Sequence, residues 1–211
     1  GMGGEEFGEF ASLYAVETLG EYQSAVFSEY CDEYIEKANK KICNLIKENN
    51  GVRSGTTLAL VNIKNGKLKL CNIGDSRIYV FRNGKLIQLS EDHTKIAQMI
   101  KMGLITPEEA PNHRYRHAIT QHLGIFPEEF IIQPYKGEEI NLQVNDIFLL
   151  CSDGLTDMLT DEEIENILSQ DISSKQLSEQ LVNMALNNGG KDNVTVGIIK
   201  VVEKRNFLSE L

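Results

Sequence analysis

Hydrophobic positions at the start of the chain recur every three or four residues, which is typical of amphipathic helices. This spacing predicts a first helix that includes residues 7–18 and a longer second helix over residues 24–48, which Asn49, Asn50 and Gly51 end. The residues that share one face of the first predicted helix are Phe7, Phe10, Ala11, Tyr14 and Thr18. The amino-terminal quarter of the chain is therefore expected to be helical.

The hydrophobic spacing changes to that of strands after Gly55. The pattern predicts four strands, at residues 56–63, 67–73, 77–81 and 85–89. Asn-Gly pairs at 65–66 and 83–84 are typical of tight hairpins. We therefore expect these strands to form an antiparallel meander.

The second half of the chain alternates between helical and strand patterns. The predicted helices cover residues 93–102, a short stretch after 160–163, and 174–186; the predicted strands cover 147–151 and the apolar run that follows Asp192. Capping boxes at 106–109 and 160–163 indicate helix starts. The order of helices, strands, helices and a final strand favours an α+β fold with an antiparallel sheet. Without an internal repeat or linker, residues 1–211 are predicted to form a single domain.

Composition places the chain among ordinary globular proteins, with 41% hydrophobic and 25% charged residues. No apolar run approaches the roughly 20 residues of a membrane-spanning helix, and no secretory leader opens the sequence. The cysteines, Cys31, Cys43, Cys71 and Cys151, form no C-x-x-C pair, so we expect reduced thiols in the core. We expect a cytoplasmic protein without membrane contact.

The net charge of −10 argues against nucleic acid as a partner, because such binding requires Lys and Arg to neutralise phosphates. An acidic chain can still bind a phosphorylated substrate if a metal ion supplies positive charge locally. Phosphorylated proteins therefore stay possible partners.

Four carboxylates share one sequence context: each lies where an apolar strand meets a turn that contains Gly or Asn. They are Asp75, Asp153, Asp157 and Asp192. If these turns gather at one end of a sheet, their repulsion requires cations, and oxygen ligands favour Mg²⁺ or Mn²⁺. Such ions activate water and neutralise a phosphoryl group, which suits phosphoester hydrolysis. The alternative is that these aspartates only belong to turns and helix starts.

A histidine-rich segment at residues 111–124 contains His113, His117 and His122. A metal site and an exposed, mobile loop are both compatible with this spacing. The segment is polar, contains arginines and includes no acidic residue of its own, so the sequence favours the loop.

Six motifs occur in an order and at separations that carry a resemblance. They are residues 55–57 (Gly-Thr-Thr), 74–77 (Gly-Asp-Ser-Arg), 105–110 (Ile-Thr-Pro-Glu-Glu-Ala), 119–124, 152–157 (Ser-Asp-Gly-Leu-Thr-Asp) and 191–195 (Lys-Asp-Asn-Val-Thr). Together they resemble the metal-dependent protein phosphatases of the PPM (type 2C) family in their bacterial form. The opening Gly-Met-Gly-Gly resembles the same family's Asp-Gly-Met-Gly-Gly segment.

This resemblance implies an antiparallel β-sandwich flanked by helices on both faces, a four-layer α/β/β/α fold. It implies hydrolysis of phosphoserine and phosphothreonine on proteins with Mn²⁺ or Mg²⁺, opposing a serine/threonine kinase. By motif, the resemblance implies that Asp153 and Asp192 bind two metal ions. It implies that Asp75 and Asp157, with Asp153, bind a third metal ion, and that the carbonyl of Gly1 is a further ligand. The residues carried over to a flap beside the active site are Thr94, Gly103, His117, Thr120 and Gly124.

The sequence departs from the family pattern at its start. The sequence lacks the Asp that the family has immediately before Gly1, which bridges both metals. It also lacks the first strands of the sandwich. We therefore expect an N-terminally truncated domain with little hydrolysis. Met2 occupies the place of a His of animal members, and Gln121 replaces a frequent Arg. The alternative function is a non-catalytic pseudophosphatase or interaction module. Bare sheet edges would favour a homo-oligomer.

Overall fold

The computed structural model describes residues 1–2, 7–22, 27–50 and 52–203. Within that part, six α-helices and eight strands follow one another. The helices are α1 (Gly8–Gly20), α2 (Phe27–Glu48), α3 (Lys95–Lys101), α4 (Asp153–Thr156), α5 (Asp161–Leu168) and α6 (Ser174–Asn187). The strands are β1 (Leu58–Lys64), β2 (Lys67–Ile73), β3 (Arg77–Arg82), β4 (Lys85–Gln88), β5 (Tyr135–Lys136), β6 (Ile140–Asn141), β7 (Ile147–Cys151) and β8 (Val196–Lys200).

The chain divides into two compact units. The first unit comprises residues 1–62, 69–77 and 90–138, and the second comprises 63–68, 78–89 and 139–211. The chain passes from one unit to the other within β1 and again within β2. Each unit has its own hydrophobic core.

The core of the first unit forms where α2 packs on α1. Tyr34, Ala38 and Ile42 repeat at the helical spacing and are buried along α2, as the sequence predicts. The predicted face of α1 was partly wrong: Ala11, Ala15 and Thr18 are buried, whereas the Phe10 side chain is 42% exposed. Small residues let the two helices approach closely, and the hydroxyl of Tyr34 donates to the carbonyl of Ala15 at 3.2 Å. The predicted start of α2 at residue 24 and its stop at Gly51 lie outside the described residues.

The strands form two sheets. One has the order β1-β2-β5, with β6 also paired to β2, and the other has the order β4-β3-β7-β8. Asn65, Gly66, Asn83 and Gly84 all have positive φ, as two-residue hairpin turns require. The α+β class with antiparallel pairing is confirmed.

The predicted four-strand meander is wrong, because β2 and β3 belong to different sheets. Gly74, with φ of 101°, lies at the end of β2 and redirects the chain there. Both predicted hairpins are correct, so the error concerns only the pairing between them.

The second unit is organised around β7, which pairs with β8 from Ile147↔Lys200 to Cys151↔Val196. Leu149, Ile164 and Leu181 form part of its core with α5 and α6. The predicted capping box at Thr160 is confirmed, and Ser173 and Gln176 form a second one that starts α6. The Arg82 guanidinium forms two hydrogen bonds, of 2.8 and 2.7 Å, with the buried Asp146 carboxylate.

The predicted helix start at 106–109 is wrong. Glu109 accepts a hydrogen bond from the Thr106 N–H at 2.8 Å, as a capping box requires, but only a turn and a 3-10 segment (Ala110–Asn112) follow. Pro111 explains this outcome because it lacks the N–H that a continuing helix would use. All four cysteines are buried thiols, as expected. Within the described ranges, no helix is both long and apolar enough to cross a membrane.

Candidate metal centre

Asp153 and Asp157 flank a single helical turn that follows the buried strand β7. The Asp157 N–H donates to the Asp153 carbonyl at 2.8 Å. Residues four apart on a helix lie on the same face, with Cβ atoms roughly 5–6 Å apart. One turn therefore presents two carboxylates on one side.

The turn that carries Asp192 lies against the start of α4. The Ser152 N–H donates to the Thr195 carbonyl at 3.1 Å, and the Ser152 hydroxyl donates to the Asn193 carbonyl at 3.2 Å. A Cβ at Gly154 would lie 2.4 Å from the Asn193 oxygen and 3.6 Å from the Asp192 carbonyl carbon. Only a residue without a side chain permits this approach, which brings the Asp153 and Asp192 turns together.

The backbone of each turn orients its carboxylate. One Asp153 oxygen accepts the Gly154 N–H at 2.9 Å, and one Asp192 oxygen accepts the Asn193 N–H at 2.7 Å. The carboxylates of Asp153, Asp157 and Asp192 thus lie on two adjoining turns of the second unit. Oxygen ligands of this kind suit Mg²⁺ or Mn²⁺. In the part of the chain that the structure describes, no three His, Cys, Asp or Glu side chains are arranged to hold an ion by themselves. Mg²⁺ commonly uses one or two carboxylates and keeps several waters, so the donor set present fits.

The other predicted ligands, Asp75 and Gly1, belong to the first unit. Asp75 follows Gly74, where a Cβ would lie 2.4 Å from the Thr57 side chain, and the hydroxyls of Thr57 and Ser76 lie 2.8 Å apart. A Cβ at Gly1 would lie 2.1 Å from the Gly8 carbonyl oxygen, so this position also requires glycine.

His93 stabilises the turn that precedes Asp75, a role that the sequence analysis missed. Its imidazole Nδ1 accepts the Gly74 N–H at 3.1 Å, and the backbone N–H of His93 donates to the Gly74 carbonyl at 2.9 Å. Burial lowers the pKa of His93, which favours the neutral imidazole that this acceptor role requires. The partners are 19 residues apart, so no local pattern could indicate the contact.

Residues 94–124, the predicted flap, start with a well-formed helix cap. The buried Thr94 side chain accepts the Ala97 N–H at 3.1 Å, and Thr94 bridges to Ile119. The Thr120 N–H donates to the His93 carbonyl at 2.7 Å. These contacts join the two ends of the flap.

The flap glycines have different roles. Gly103, with φ of 68°, follows the exposed end of α3, and nothing lies near its Cβ position. Gly124, with φ of 107°, donates its N–H to the Asn39 side chain at 2.7 Å and would clash with the Ser54 carbonyl if it carried a Cβ. Gly124 is therefore a packing position and Gly103 a turn position.

The three flap histidines each have a separate local partner. His113 Nδ1 accepts the Tyr115 N–H at 3.2 Å, His117 Nε2 accepts from Arg116 at 2.7 Å, and His122 Nδ1 lies 2.9 Å from the Leu123 carbonyl. Among the residues described they form no shared metal site.

Gln121 has a structural contact that the sequence analysis did not predict. It is buried, and its side-chain oxygen accepts the Gln133 N–H at 2.6 Å. The residue that departs from the family pattern thus supports the segment that follows the flap.

A family model described as Protein phosphatase 2C matches residues 1–194. The chain belongs to the protein phosphatase 2C family. Phosphatase PhpP of Streptococcus pneumoniae is 38% identical over 211 residues, covering 97% of this chain and 84% of that protein. This chain is therefore a member of a serine/threonine phosphatase family.

Solved structures of the same family share the fold. The serine/threonine phosphatase PstP/Ppp of Mycobacterium tuberculosis is 31% identical, with a TM-score of 0.86 over 96% of this chain and 86% of that one. A PstP catalytic domain in complex with two manganese ions is 31% identical, with a TM-score of 0.83 over 96% of this chain and 85% of that one. These similarities confirm the predicted family and fold class.

Proposed function

We propose that this chain hydrolyses phosphoserine and phosphothreonine on proteins with Mn²⁺ or Mg²⁺. The observation that carries the proposal is the close approach of the Asp153 and Asp192 turns across Gly154, which places two acidic turns side by side. The manganese-bound PstP relative and the phosphatase names of the other relatives support it. Phosphorylated proteins are thus the proposed substrates.

The proposed metal ligands follow from the positions of the carboxylates. Asp153 and Asp192 hold a pair of ions, Asp157 contributes to a third, and Gly1 and Asp75 stay the predicted further ligands. When bound, such ions would supply positive charge for the phosphoryl oxygens and lower the pKa of a bound water. The chain itself orients these oxygens through the N–H groups of Gly154 and Asn193.

We propose that residues 1–211 belong to a single phosphatase domain. One family model spans residues 1–194, and β1 and β2 each contribute residues to both compact units. The expected impairment of residues 1–211 as a separate polypeptide stays a prediction, as does the alternative of a non-catalytic interaction module. An opposing serine/threonine kinase and a cytoplasmic location are proposals of the same kind, the latter supported by the four buried thiols.

Self-association through sheet edges is also proposed. β4 and β8 are the end strands of the second unit's sheet among the residues described, and an end strand presents backbone groups to a partner. Light scattering at high protein concentration tests this proposal. A monomeric mass would contradict it.

The catalytic proposal is tested by phosphate release from a phosphothreonine peptide with Mn²⁺ or with a chelator. We expect Mn²⁺-dependent release, at the low rate that the predicted impairment implies, that Asp153→Asn abolishes and that Asp171→Asn, at an exposed loop position, preserves. Asparagine retains an oxygen for the Gly154 N–H, so the substitution removes charge while preserving the turn. Release that is equal in Asp153→Asn would overturn the proposal, and absence of release from the unsubstituted chain would favour the interaction module.

A further inference from the structure

Two of the buried cysteines are neighbours in the core of the first unit. Cys31 lies on α2 and Cys71 on β2, and both belong to one cluster of buried side chains. The two residues are 1% and 0% exposed, and their thiols form a hydrogen bond with each other. A single buried thiol behaves as a small hydrophobic side chain, whereas two thiols in contact can be oxidised to a disulfide.

An ion pair in the same unit supports this placement of the two thiols. Lys136 of β5 is the direct partner of Cys71 in the antiparallel register, so their side chains lie on the same face of the sheet. The Lys136 Nζ lies 2.5 Å from a carboxylate oxygen of Asp32, the residue that follows Cys31 on α2. The neighbour of one thiol thus contacts the neighbour of the other, which brings α2 and β2 together at the cysteines.

The ion pair beside the thiols lies on the surface. The side chains of Lys136 and Asp32 are 41% and 75% exposed. Exposed ion pairs contribute little to stability, so this contact opens at a small cost in free energy. Hydrogen peroxide is close to water in size, and a local opening of this kind is enough to admit it to the two thiols.

The two thiols differ in how readily they ionise. The hydrogen bond with Cys71 lowers the pKa of Cys31, and the charge of Lys136 lowers it further, whereas burial acts in the opposite direction. The same hydrogen bond, together with burial, raises the pKa of Cys71. Because the thiolate is the reactive form of cysteine, Cys31 is the nucleophile of the pair and Cys71 keeps its proton.

Cys43 has a different environment, although it is also a buried thiol of the first unit. Its Sγ donates to the Ile125 carbonyl at 3.4 Å, and burial raises its pKa. Among the residues that the structure describes, no third His, Cys, Asp or Glu joins Cys31 and Cys71 in a group that could hold a metal ion. A redox role therefore suits the pair better than a structural zinc site, which requires four ligands.

We propose that Cys31 and Cys71 form a peroxide-sensitive thiol pair that closes to an intramolecular disulfide. The Cys31 thiolate attacks the O–O bond of hydrogen peroxide, so that a sulfenic acid forms and hydroxide leaves, which takes up a proton to become water. The Cys71 sulfur then attacks the Cys31 sulfur, the S–O bond breaks, and water leaves with the Cys71 proton. The two thiols lose two electrons in total, and one peroxide is reduced to two molecules of water.

Two variants of the ion pair test the first step. Lys136→Gln and Asp32→Asn both break the ion pair, but they change the charge beside Cys31 in opposite directions. Lys136 lowers the pKa of Cys31 and Asp32 raises it, so we expect Lys136→Gln to slow oxidation and Asp32→Asn to accelerate it, each about two- to fivefold. A change of the rate in the same direction in both variants would overturn the activation of Cys31 by Lys136.

Substitution of each cysteine separates the two steps. Cys71→Ala should leave Cys31 as a sulfenic acid, which dimedone labels after unfolding, whereas Cys31→Ala should slow oxidation of Cys71 at least about tenfold. Cys43→Ala is the matched control, because it removes a buried thiol of the same unit, and it should still form the disulfide. Equal rates of oxidation of the remaining thiol in Cys31→Ala and Cys71→Ala would overturn the assigned order.

Peptide mapping of the folded, unsubstituted chain after treatment with hydrogen peroxide tests the proposal directly and does not depend on phosphatase activity. Trypsin cleaves after Lys and Arg, which places each cysteine on its own peptide, at residues 1–37, 42–47, 70–77 and 137–175. We expect a cross-linked product of 1–37 and 70–77 that a dithiol reductant separates, while 42–47 keeps its free thiol. Absence of this product, or equal yields of other cross-links, would overturn the thiol pair.

Discussion

The acidic turns of the second unit and the flap of the first unit are built in opposite ways. The turns follow the buried strand β7, and their carboxylates accept N–H groups of their own backbone. The flap helix α3 has no buried residue, and the Met102 and Leu104 side chains after it are 72% and 65% exposed. One region has negative charge on a fixed backbone, and the other has positive charge on an exposed surface.

The difference suits the metal-binding role proposed for the turns. Metal ligands tolerate errors of only about 0.5 Å, so they require a backbone that packing restrains. The flap helix α3, which buries no residue, lacks this restraint from packing. We therefore expect substitutions in the turns to have large effects on activity and stability, and substitutions in the flap to have small, local effects.

The largest expected effect is on catalysis by Asp192→Asn. Loss of a group that merely supports a metal ligand costs roughly 10- to 100-fold, so loss of a ligand should reduce Mn²⁺-dependent kcat/KM at least 100-fold. Asp157→Asn, at a proposed third-ion ligand, should cost less. Steady-state kinetics across Mn²⁺ concentrations measures both, and a larger loss in Asp157→Asn would reverse the proposed assignment.

The next effect is on the buried ion pair of the second unit. The Asp146 side chain is 1% exposed and accepts hydrogen bonds from Arg82 and from the Gln143 N–H. Asp146→Asn leaves the Arg82 charge unpaired and should lower the free energy of unfolding by about 2–4 kcal/mol. Urea denaturation measures this loss, with Asp171→Asn as the exposed control, and equal stability of the two variants would contradict it.

The same pair predicts a pH dependence. Burial acts to raise the pKa of Asp146, but hydrogen bonds from Arg82 and from the Gln143 backbone outweigh it, so the pKa is lowered from its ordinary 3.8. The ion pair therefore stabilises the fold fully at a pH above 3.8, the ordinary pKa. This stabilisation is lost as the pH falls below 3.8 and through the lowered pKa of Asp146. The stability difference between the unsubstituted chain and Asp146→Asn should shrink there, and a constant difference would contradict this cause.

Gly154→Ala tests the approach of the two acidic turns. The new Cβ would lie 2.4 Å from the Asn193 oxygen, so backbone must shift, and we expect a loss of about 1–3 kcal/mol and weaker Mn²⁺ binding. Gly197→Ala is the matched control in β8, because its nearest contact is 3.9 Å. Thermal unfolding measures both variants, and equal losses would argue against a special role of the approach.

The smallest expected effects come from two helix caps. Ser173 caps α6, which buries Leu177 and Leu181, whereas Thr94 caps α3, which buries no residue. Each substitution by Ala removes a bond of about 1 kcal/mol. Ser173→Ala should lower the global free energy of unfolding by that amount, whereas Thr94→Ala should mainly accelerate hydrogen exchange in α3. A global loss from Thr94→Ala with only a local effect of Ser173→Ala would contradict the proposed difference between the regions.

Local signals predicted much of the fold. The Asn-Gly hairpins and the Thr160 capping box depend on neighbouring residues only, so they could be recognised from the sequence. Whether β2 pairs with β3 depends on the whole fold, and the predicted meander was wrong because the two strands belong to different sheets. The buried face of α1 was predicted only in part, because the close approach of α1 and α2 favours small residues: Ala15, which the predicted face omits, is buried, whereas Phe10 is exposed.

The same distinction applies to the candidate site. The acidic residues were predicted because each lies where an apolar strand meets a turn that contains Gly or Asn, but the contact of the Asp153 and Asp192 turns joins residues far apart in sequence. His93 and the Lys95 contact with Tyr115 were missed for the same reason. Sequence patterns thus predicted the chemistry of the candidate site, whereas the structure was needed to find the contacts around it.

Calorimetric titration of the full chain with Mn²⁺, beside Asp153→Asn and Asp171→Asn, tests the central claim most directly. The account predicts micromolar binding that Asp153→Asn abolishes and Asp171→Asn retains. Equal binding by all three proteins, or no binding by the unsubstituted chain, would contradict the claim that the adjoining acidic turns form a metal centre.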